Sequence, residues 1–117
     1  MKLHRGDIVT VQLNPTEGSE QRGANRPCVI IQNDVGNEHS PTTIVAPFTT
    51  QYDSNDTYPF EVELLASETP LNGDSVADLS QIRVVDIGAR IQQRLGSVPT
   101  EKLREIDVAI KESLGLY

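Results

Sequence analysis

Two arginines lie in a polar segment whose composition suits the binding of a phosphate group. Between Gly18 and Pro27 the chain carries Arg22 and Arg26 among Ser, Glu, Gln and Asn side chains. A guanidinium group donates two parallel hydrogen bonds to a phosphate or a carboxylate. The residue before a proline favours an extended backbone, which predicts that Arg26 lies at the start of a strand. A loop as long as residues 15–25 is usually functional or mobile.

The alternative for this segment is purely structural. Charged loops are common on protein surfaces, and Arg26 could pair with Glu17 or Glu20. On the residue types alone, we favour this interpretation of a solvated loop. An independent observation is needed before chemistry can be assigned to Arg26.

Two further polar clusters follow predicted strands. At residues 47–51, Thr49 and Thr50 could contact a sugar or a phosphate, although hydroxyl groups in this position often only cap a turn. At residues 80–83, Gln81 could hydrogen-bond a loop or a base edge. Arg83 could brace a buried carboxylate or face a ligand, and the residue types leave both alternatives open.

The other reactive side chains form no familiar catalytic or metal site. His4 and His39 fall in the N-terminal tail and in a predicted loop, and no Ser-His-Asp or Cys-His grouping can be identified. Cys28 lies in an apolar run, where a cysteine is usually a small core residue. One Cys and two His are too few for a zinc finger. We expect no metal and no cofactor.

The charge balance restricts how this chain could bind nucleic acid. Its 117 residues include 10 Lys and Arg against 17 Asp and Glu, which gives a formal net charge of −7. Generic nucleic-acid binders present a basic surface. Contact with a nucleic acid must therefore be local and made by a few arginines. The length suits one domain over residues 1–117.

Cysteine content and hydropathy predict a cytoplasmic protein. A single Cys cannot form an intramolecular disulfide, so a disulfide-held secreted scaffold is excluded. No apolar run follows the N-terminus, and a signal peptide is therefore not expected. The longest apolar run, residues 28–31, is far shorter than the ~20 residues of a membrane helix.

Hydrophobic periodicity predicts a mainly β fold. Strands are predicted over residues 7–13, 27–33, 42–48, 60–64, 75–79 and 91–95. The first should have one strongly apolar face, the second should be central and buried, and Pro47 should close the third. Residues 34–41 are predicted to be a loop, with a turn at Gly36-Asn37.

A C-terminal helix is predicted by apolar residues at helical spacing, Leu103, Ile106, Ile110 and Leu114. Glu101 complements the N-terminal helix dipole and Gly115 suits the helix end. Together the elements predict a compact, strongly bent antiparallel sheet or a small SH3-like barrel that carries one C-terminal helix.

An ordered series of motifs along nearly the whole chain resembles the MazF/PemK toxin family. Near the start these motifs are Arg5-Gly6-Asp7-Ile8-Val9, Leu13-Asn14-Pro15, Gly18-Ser19-Glu20-Gln21 and Arg26-Pro27. Further along they are Val29-Ile30-Ile31-Gln32-Asn33-Asp34, Thr43-Ile44-Val45-Ala46-Pro47-Phe48-Thr49, Asp74-Ser75-Val76, Gln81-Ile82-Arg83-Val84-Val85-Asp86 and Ser113-Leu114-Gly115-Leu116.

The resemblance implies a fold of the PemK/CcdB type and a homodimer. It implies metal-independent cleavage of single-stranded RNA, chiefly messenger RNA, at short sequence motifs, which leaves a 2′,3′-cyclic phosphate and a 5′-hydroxyl. It also implies a MazE-like antitoxin that occupies the RNA groove. Contact with DNA is expected only through an antitoxin complex.

The resemblance also assigns roles to residues. The family's catalytic arginine corresponds to Arg26, and its catalytic threonine corresponds to Thr49. The expected RNA-binding residues are Ser19, Glu20, Gln21, Arg22, Thr50 and Gln81. These assignments reverse the preference for a merely solvated loop around Arg26.

A non-catalytic alternative exists on the same fold, namely a CcdB-like inhibitor or a binding module. Such a protein would not need both Arg26 and Thr49. The poisoning determinants of a CcdB-like inhibitor lie at the C-terminal end, whereas this chain ends in an ordinary amphipathic helix followed by Gly115-Leu116-Tyr117. The sequence therefore favours the ribonuclease.

Overall fold

An antiparallel sheet of seven strands dominates the computed structural model, which describes residues 1–116. The strands are β1 (Asp7–Val11), β2 (Arg26–Ile30), β3 (Thr42–Thr49), β4 (Glu61–Leu64), β5 (Ser75–Asp78), β6 (Arg83–Asp86) and β7 (Ile91–Ser97). The helices are α1 (Asp34–His39), α2 (Ile87–Arg90) and α3 (Thr100–Leu114). This architecture confirms the predicted fold. Of the final segment Gly115-Leu116-Tyr117, Tyr117 lies outside the described residues.

Strand β3 belongs to both halves of the sheet and thereby bends it. The strands pair in the order β4-β5-β3-β2-β1-β7, and β6 pairs with the first half of β3. The ladder to β2 ends where Cys28 lies opposite Pro47, and Phe48 then pairs with Ala77 of β5. Because β2 and β5 are the two neighbours of β3 in this order, Phe48 and Thr49 extend the strand beyond Pro47 by pairing with β5. The prediction that Pro47 closes the strand was wrong, because β3 continues to Thr49, which lies opposite Val76 of β5.

Apolar side chains cover both faces of β1. Ile8 lies in one core cluster with Val29, whereas Val9 and Val11 lie in a second cluster with Cys28. The prediction of a single apolar face was therefore incomplete. Both faces are buried because α3 covers the cluster that contains Ile8, while the strongly bent sheet encloses the cluster that contains Val9 and Val11. Burial of Cys28 confirms that it is a core residue.

Residues 34–41 were predicted to be a loop, but they contain the short helix α1. The Asn33 side chain caps this helix by accepting a hydrogen bond from the Gly36 backbone at 2.8 Å. Asn37 is buried, donates to the Gln32 carbonyl at 2.9 Å and accepts from the Thr43 hydroxyl at 2.6 Å. One polar helical turn gives no usable hydrophobic period, which needs a window of about 11–18 residues.

Helix α3 closes one end of the core as predicted. Ile106 is fully buried, and Leu103 and Ile110 pack against the same cluster. Leu114 does not follow them, since it is 59% exposed at the last helical position. Gly115 ends the helix with a left-handed φ of 70°, a conformation that costs glycine little. No helix within residues 1–116 has the length and apolar character needed to cross a membrane.

Strand β6 and helix α2 were not predicted. Residues 80–83 were interpreted only as a polar cluster, whereas β6 begins at Arg83 and pairs with the first half of β3. Helix α2 follows, and the Asp86 carboxylate caps it by accepting from the Ala89 backbone at 2.8 Å. Both elements have only four residues, so their conformation depends on tertiary pairing and not on a local period.

Candidate RNA-cleavage site

A cleft of about 640 Å³ opens where β2 begins and β3 ends. It is lined by Gln21, Arg22, Arg26, Pro27, Phe48, Thr49, Thr50, Gln51, Leu71, Asn72, Gly73 and Ser75. The structure therefore brings together Arg26 and Thr49, which lie far apart in the sequence. Of the expected RNA-binding residues, Gln21, Arg22 and Thr50 also line this cleft.

Strand register explains why Arg26 and Thr49 meet. Strands β2 and β3 are antiparallel neighbours, and Cys28 lies opposite Pro47. The paired register ends there, and Arg26 and Thr49 each lie two residues further on, at the same end of the two strands. Side chains two residues apart on a strand point to the same face of the sheet. The Arg26 and Thr49 side chains therefore lie on the face that carries Cys28 and Pro47, and both line the cleft.

Hydrogen bonds to the main chain hold the Arg26 guanidinium. Its Nη1 donates to the Arg22 carbonyl at 2.7 Å, and its Nη2 donates to the Phe48 carbonyl. The predicted alternative, a pair with Glu17 or Glu20, was wrong: the Glu20 carboxylate accepts instead from the Glu17 backbone at 2.8 Å. Because no carboxylate in residues 1–116 neutralises it, the positive charge of Arg26 remains available to an anion in the cleft.

Thr49 makes the turn-capping contact that was one of the two alternatives for its position. Its hydroxyl oxygen accepts from the Gln51 backbone at 3.1 Å, which is the turn-capping contact. A hydroxyl can accept one hydrogen bond and still donate another. Thr49 is half-buried in the cleft wall, and the neighbouring Thr50 is exposed. The turn therefore orients Thr49 while leaving its proton free for a ligand.

The loop residues Ser19, Glu20 and Gln21 divide between two cavities. Gln21 lines the main cleft and also a second cavity of about 260 Å³, which Glu20, Gln81 and Arg83 line as well. The Gln81 amide oxygen accepts from the Gln21 backbone at 3.2 Å, so Gln81 holds the loop at the junction of the two cavities. Ser19 is exposed and lines neither cavity.

Leu71, Asn72, Gly73 and Ser75 also line the cleft, and none of them was among the predicted site residues. Ser75 is the most informative of them, because it is only 3% exposed and its hydroxyl has no hydrogen-bond partner within residues 1–116. Buried hydroxyl groups are normally paired. The pairing of β3 with β5, in which Thr49 lies opposite Val76, brings the neighbouring Ser75 to the cleft. Local sequence does not reveal that pairing.

The remaining reactive groups do not contribute a nucleophile. Burial raises the pKa of the Cys28 thiol to about 12, and the nearby Arg26 and Arg83 only partly oppose this shift. The thiol is consequently protonated at neutral pH. Over the described part of the chain, no three His, Cys, Asp or Glu side chains are grouped so that they could hold a metal ion.

The site can therefore hold an anion and stabilise charge that develops on it. The fixed Arg26 guanidinium and the Thr49 hydroxyl lie in one cleft with the polar side chains of Gln51, Asn72 and Ser75. This arrangement suits a phosphodiester whose non-bridging oxygens gain charge during a reaction.

Comparison with known proteins gives one family. Residues 4–114 match the family described as PemK-like, MazF-like toxin of type II toxin–antitoxin system. Endoribonuclease MazF of Staphylococcus saprophyticus subsp. saprophyticus is 44% identical over 115 residues, which covers 98% of this chain and 93% of that relative.

Solved structures show the same fold. MazF (Form-I) from Deinococcus radiodurans is similar with a TM-score of 0.83 and 25% identity, and the match covers 99% of each chain. An endoribonuclease in complex with its cognate antitoxin from a mycobacterial species has a TM-score of 0.78 at 22% identity, covering 98% of this chain and 97% of that one.

Proposed function

Because the chain belongs to the PemK-like, MazF-like toxin family of type II toxin–antitoxin systems, we propose that it is an endoribonuclease toxin that cleaves single-stranded messenger RNA. The scissile phosphodiester lies in the cleft between Arg26 and Thr49. Residues 1–117 act as one functional domain.

The reaction is a transesterification within the RNA strand. The ribose 2′-oxygen loses its proton and attacks the adjacent phosphorus, while the bond from phosphorus to the 5′-oxygen breaks and that oxygen takes up a proton. The products are a 2′,3′-cyclic phosphate and a 5′-hydroxyl. The nucleophile belongs to the substrate, so the protein has to position the strand and stabilise charge on the non-bridging oxygens.

Arg26 supplies the charge stabilisation. Its guanidinium is fixed by two main-chain carbonyls and has no carboxylate partner in residues 1–116, and this observation carries the proposal. A guanidinium is always protonated near neutral pH, which makes it a good electrostatic group and a poor general base. Thr49 donates its hydroxyl proton to the same phosphate or orients the attacking 2′-hydroxyl.

The RNA strand continues from the cleft along the loop of residues 18–27. Gln21, Arg22 and Thr50 contact it in the main cleft, which they line. Glu20 and Gln81 contact it in the second cavity, and Ser19 contacts it at the exposed rim of the loop. Only a few cationic groups meet the strand, which suits a chain whose net charge is −7.

The proposed partners follow from the family and from the relatives described above. We propose a homodimer that a MazE-like antitoxin inhibits by occupying the RNA groove. A similar fold is known from an endoribonuclease in complex with its cognate antitoxin. DNA is contacted only through such an antitoxin complex. The cytoplasm is the proposed location, because messenger RNA is the substrate.

RNA cleavage by the purified, antitoxin-free protein tests this function. A long single-stranded RNA is incubated with the protein in EDTA, at low and at molar salt, and the new ends are identified. Discrete cuts with 2′,3′-cyclic phosphate and 5′-hydroxyl ends are expected. An RNA with a 2′-deoxy sugar at a mapped cut should bind and stay intact. If the folded protein cuts no RNA at either salt concentration, the ribonuclease proposal fails and a non-catalytic binding module remains.

Thr49→Val is expected to slow cleavage by about 10- to 100-fold, since one hydrogen bond to a charged group contributes roughly 1.5–3 kcal/mol. Valine keeps the branched shape in the strand but cannot donate. Thr49→Ser retains the hydroxyl and should recover most of the rate. Single-turnover cleavage at saturating RNA measures the effect. Equal rates for Thr49→Val and wild type would show that the hydroxyl takes no part in the reaction.

A further inference from the structure

Two arginines from outside the cleft bind three consecutive carbonyl groups at the start of the loop that carries Arg26. Arg90 Nη1 donates to the Gln12 carbonyl at 2.7 Å and to the Asn14 carbonyl at 2.9 Å. Arg83 Nη1 donates to the Leu13 carbonyl at 2.9 Å. Arg83 was expected to brace a buried carboxylate or to face a ligand; it donates to the main chain instead, although it also lines the second cavity.

These carbonyls are connected to Arg26 by a short series of hydrogen bonds. The Leu13 backbone donates to the Gly23 carbonyl at 2.9 Å, and the Gly23 backbone donates to the Asn14 side chain at 3.2 Å. The two ends of the loop are therefore tied together. Immediately before Gly23, the Arg22 carbonyl accepts from the Arg26 guanidinium at 2.7 Å.

Two amide side chains support the loop at other points. The Gln81 oxygen accepts from the Gln21 backbone at 3.2 Å, and Gln92 Nε2 donates to the Ala24 carbonyl at 2.9 Å. Both come from the same segment as the arginines. Residues 81–92, which include β6 and α2, thus provide four side chains that bind the main chain of residues 12–24.

The hydrogen bonds of Arg83 and Arg90 indicate positioning and not charge pairing. Neither arginine forms an ion pair with a carboxylate in the part of the chain that the structure describes, and both are half-buried. Hydrogen bonds from a charged donor are stronger than neutral ones. A long polar loop is otherwise mobile, and a displacement of about 1 Å at a catalytic group can cost a factor of about 100 in rate.

We infer that Arg90, together with Arg83, is a positioning residue that holds the Arg26 loop in its reactive geometry. This inference rests on the proposed ribonuclease function. Arg90 is not among the residues that line the cleft, and it acts through residues 12–14 and 22–23. Its loss should displace Arg26 while leaving most of the RNA-binding surface in place.

Single-turnover kinetics and RNA binding of Arg90→Ala test the inference. The cleavage rate at saturating RNA should fall by about 100-fold, whereas the Kd for an RNA with a 2′-deoxy sugar at the cut should change much less. Arg104→Ala is the matched control, because Arg104 is an exposed arginine on α3 that lies outside the cleft lining. It should cleave at the wild-type rate.

A readout independent of activity is the NMR signal of the Arg26 Nε–H group. It should shift or broaden in Arg90→Ala and stay unchanged in Arg104→Ala. If Arg90→Ala does not fold, Arg90→Met decides, because methionine keeps much of the aliphatic length of the side chain but donates no hydrogen bond. A folded Arg90→Met with a reduced rate and a moved Arg26 signal supports the inference.

Two outcomes overturn the inference while leaving the ribonuclease proposal intact. One is wild-type cleavage by a folded Arg90→Ala or Arg90→Met protein. The other is a reduced rate with an unmoved Arg26 signal, since Arg90 would then act in some other way. If the wild-type protein itself does not cleave RNA, the proposed function fails first, and that result is distinguishable because it needs no variant.

Discussion

Arg26→Ala is expected to slow RNA cleavage by about 100- to 1000-fold, the effect of removing one well-placed donor that stabilises transition-state charge, or about 3–4 kcal/mol. The variant loses the fixed cation opposite Thr49 and leaves the Arg22 and Phe48 carbonyls without their donor. Single-turnover cleavage of an oligonucleotide that spans a mapped cut measures the loss. The free energy of unfolding should change little, because Arg26 is half-buried at the rim of the sheet.

The charge and the geometry of Arg26 can be separated by a second variant. Arg26→Lys keeps the charge but cannot donate to both carbonyls from one planar group. Its rate should lie between those of wild type and Arg26→Ala. Arg104→Ala again controls for the loss of a positive charge elsewhere on the protein. A rate for Arg26→Ala within a few-fold of that control would remove Arg26 from the reaction.

Gly23→Ala is expected to inactivate the protein almost as strongly, by about 100-fold, because it moves the catalytic side chain. A Cβ atom at position 23 would lie 2.3 Å from Cγ and 2.7 Å from Cδ of Arg26. These atoms lie close to the main chain, so the whole Arg26 side chain must shift. Gly23 also has a φ of 140°, which an alanine adopts only with strain of roughly 1–3 kcal/mol. Cleavage rate and thermal unfolding should both be measured.

Gly88→Ala is the control for this glycine substitution. Gly88 lies in α2 with an ordinary φ, and an added Cβ would be 3.6 Å from the Asp86 carboxylate, a normal van der Waals contact. This variant should keep wild-type activity and stability. If Gly23→Ala is folded and fully active, the close approach of Gly23 to Arg26 does not matter for function, and the loop tolerates a different path.

Periodicity was sufficient to predict the strands that form the floor of the site. Residues 27–33 and 42–48 were predicted as apolar strands, and the structure has β2 and β3 there, which are neighbours in the sheet. Polar segments of one turn or four residues gave no such signal, which explains why α1, α2 and β6 were missed. Pro47 misled the prediction because a proline normally ends a strand, whereas here β3 continues to Thr49 by pairing with β5.

The candidate catalytic pair could be predicted, but its surroundings could not. Arg26 precedes a proline at the start of a strand, and Thr49 ends the next strand, so local sequence and the family resemblance together identify both. The unpaired hydroxyl of Ser75 and the carbonyl contacts of Arg83 and Arg90 depend on strand pairing and on hydrogen bonds across most of the chain. Composition and spacing carry no information about such contacts.

The most direct test of the proposed cleavage site is to locate the RNA on the folded protein. An oligonucleotide with a 2′-deoxy sugar at the mapped cut is titrated into isotope-labelled protein, and chemical-shift changes are followed by NMR. The largest changes are expected at residues 21–26, 48–51 and 71–75, including the Arg26 Nε–H signal. Saturable binding that shifts residues of α3 or β7 and leaves those three segments unchanged would contradict the proposed placement of the RNA.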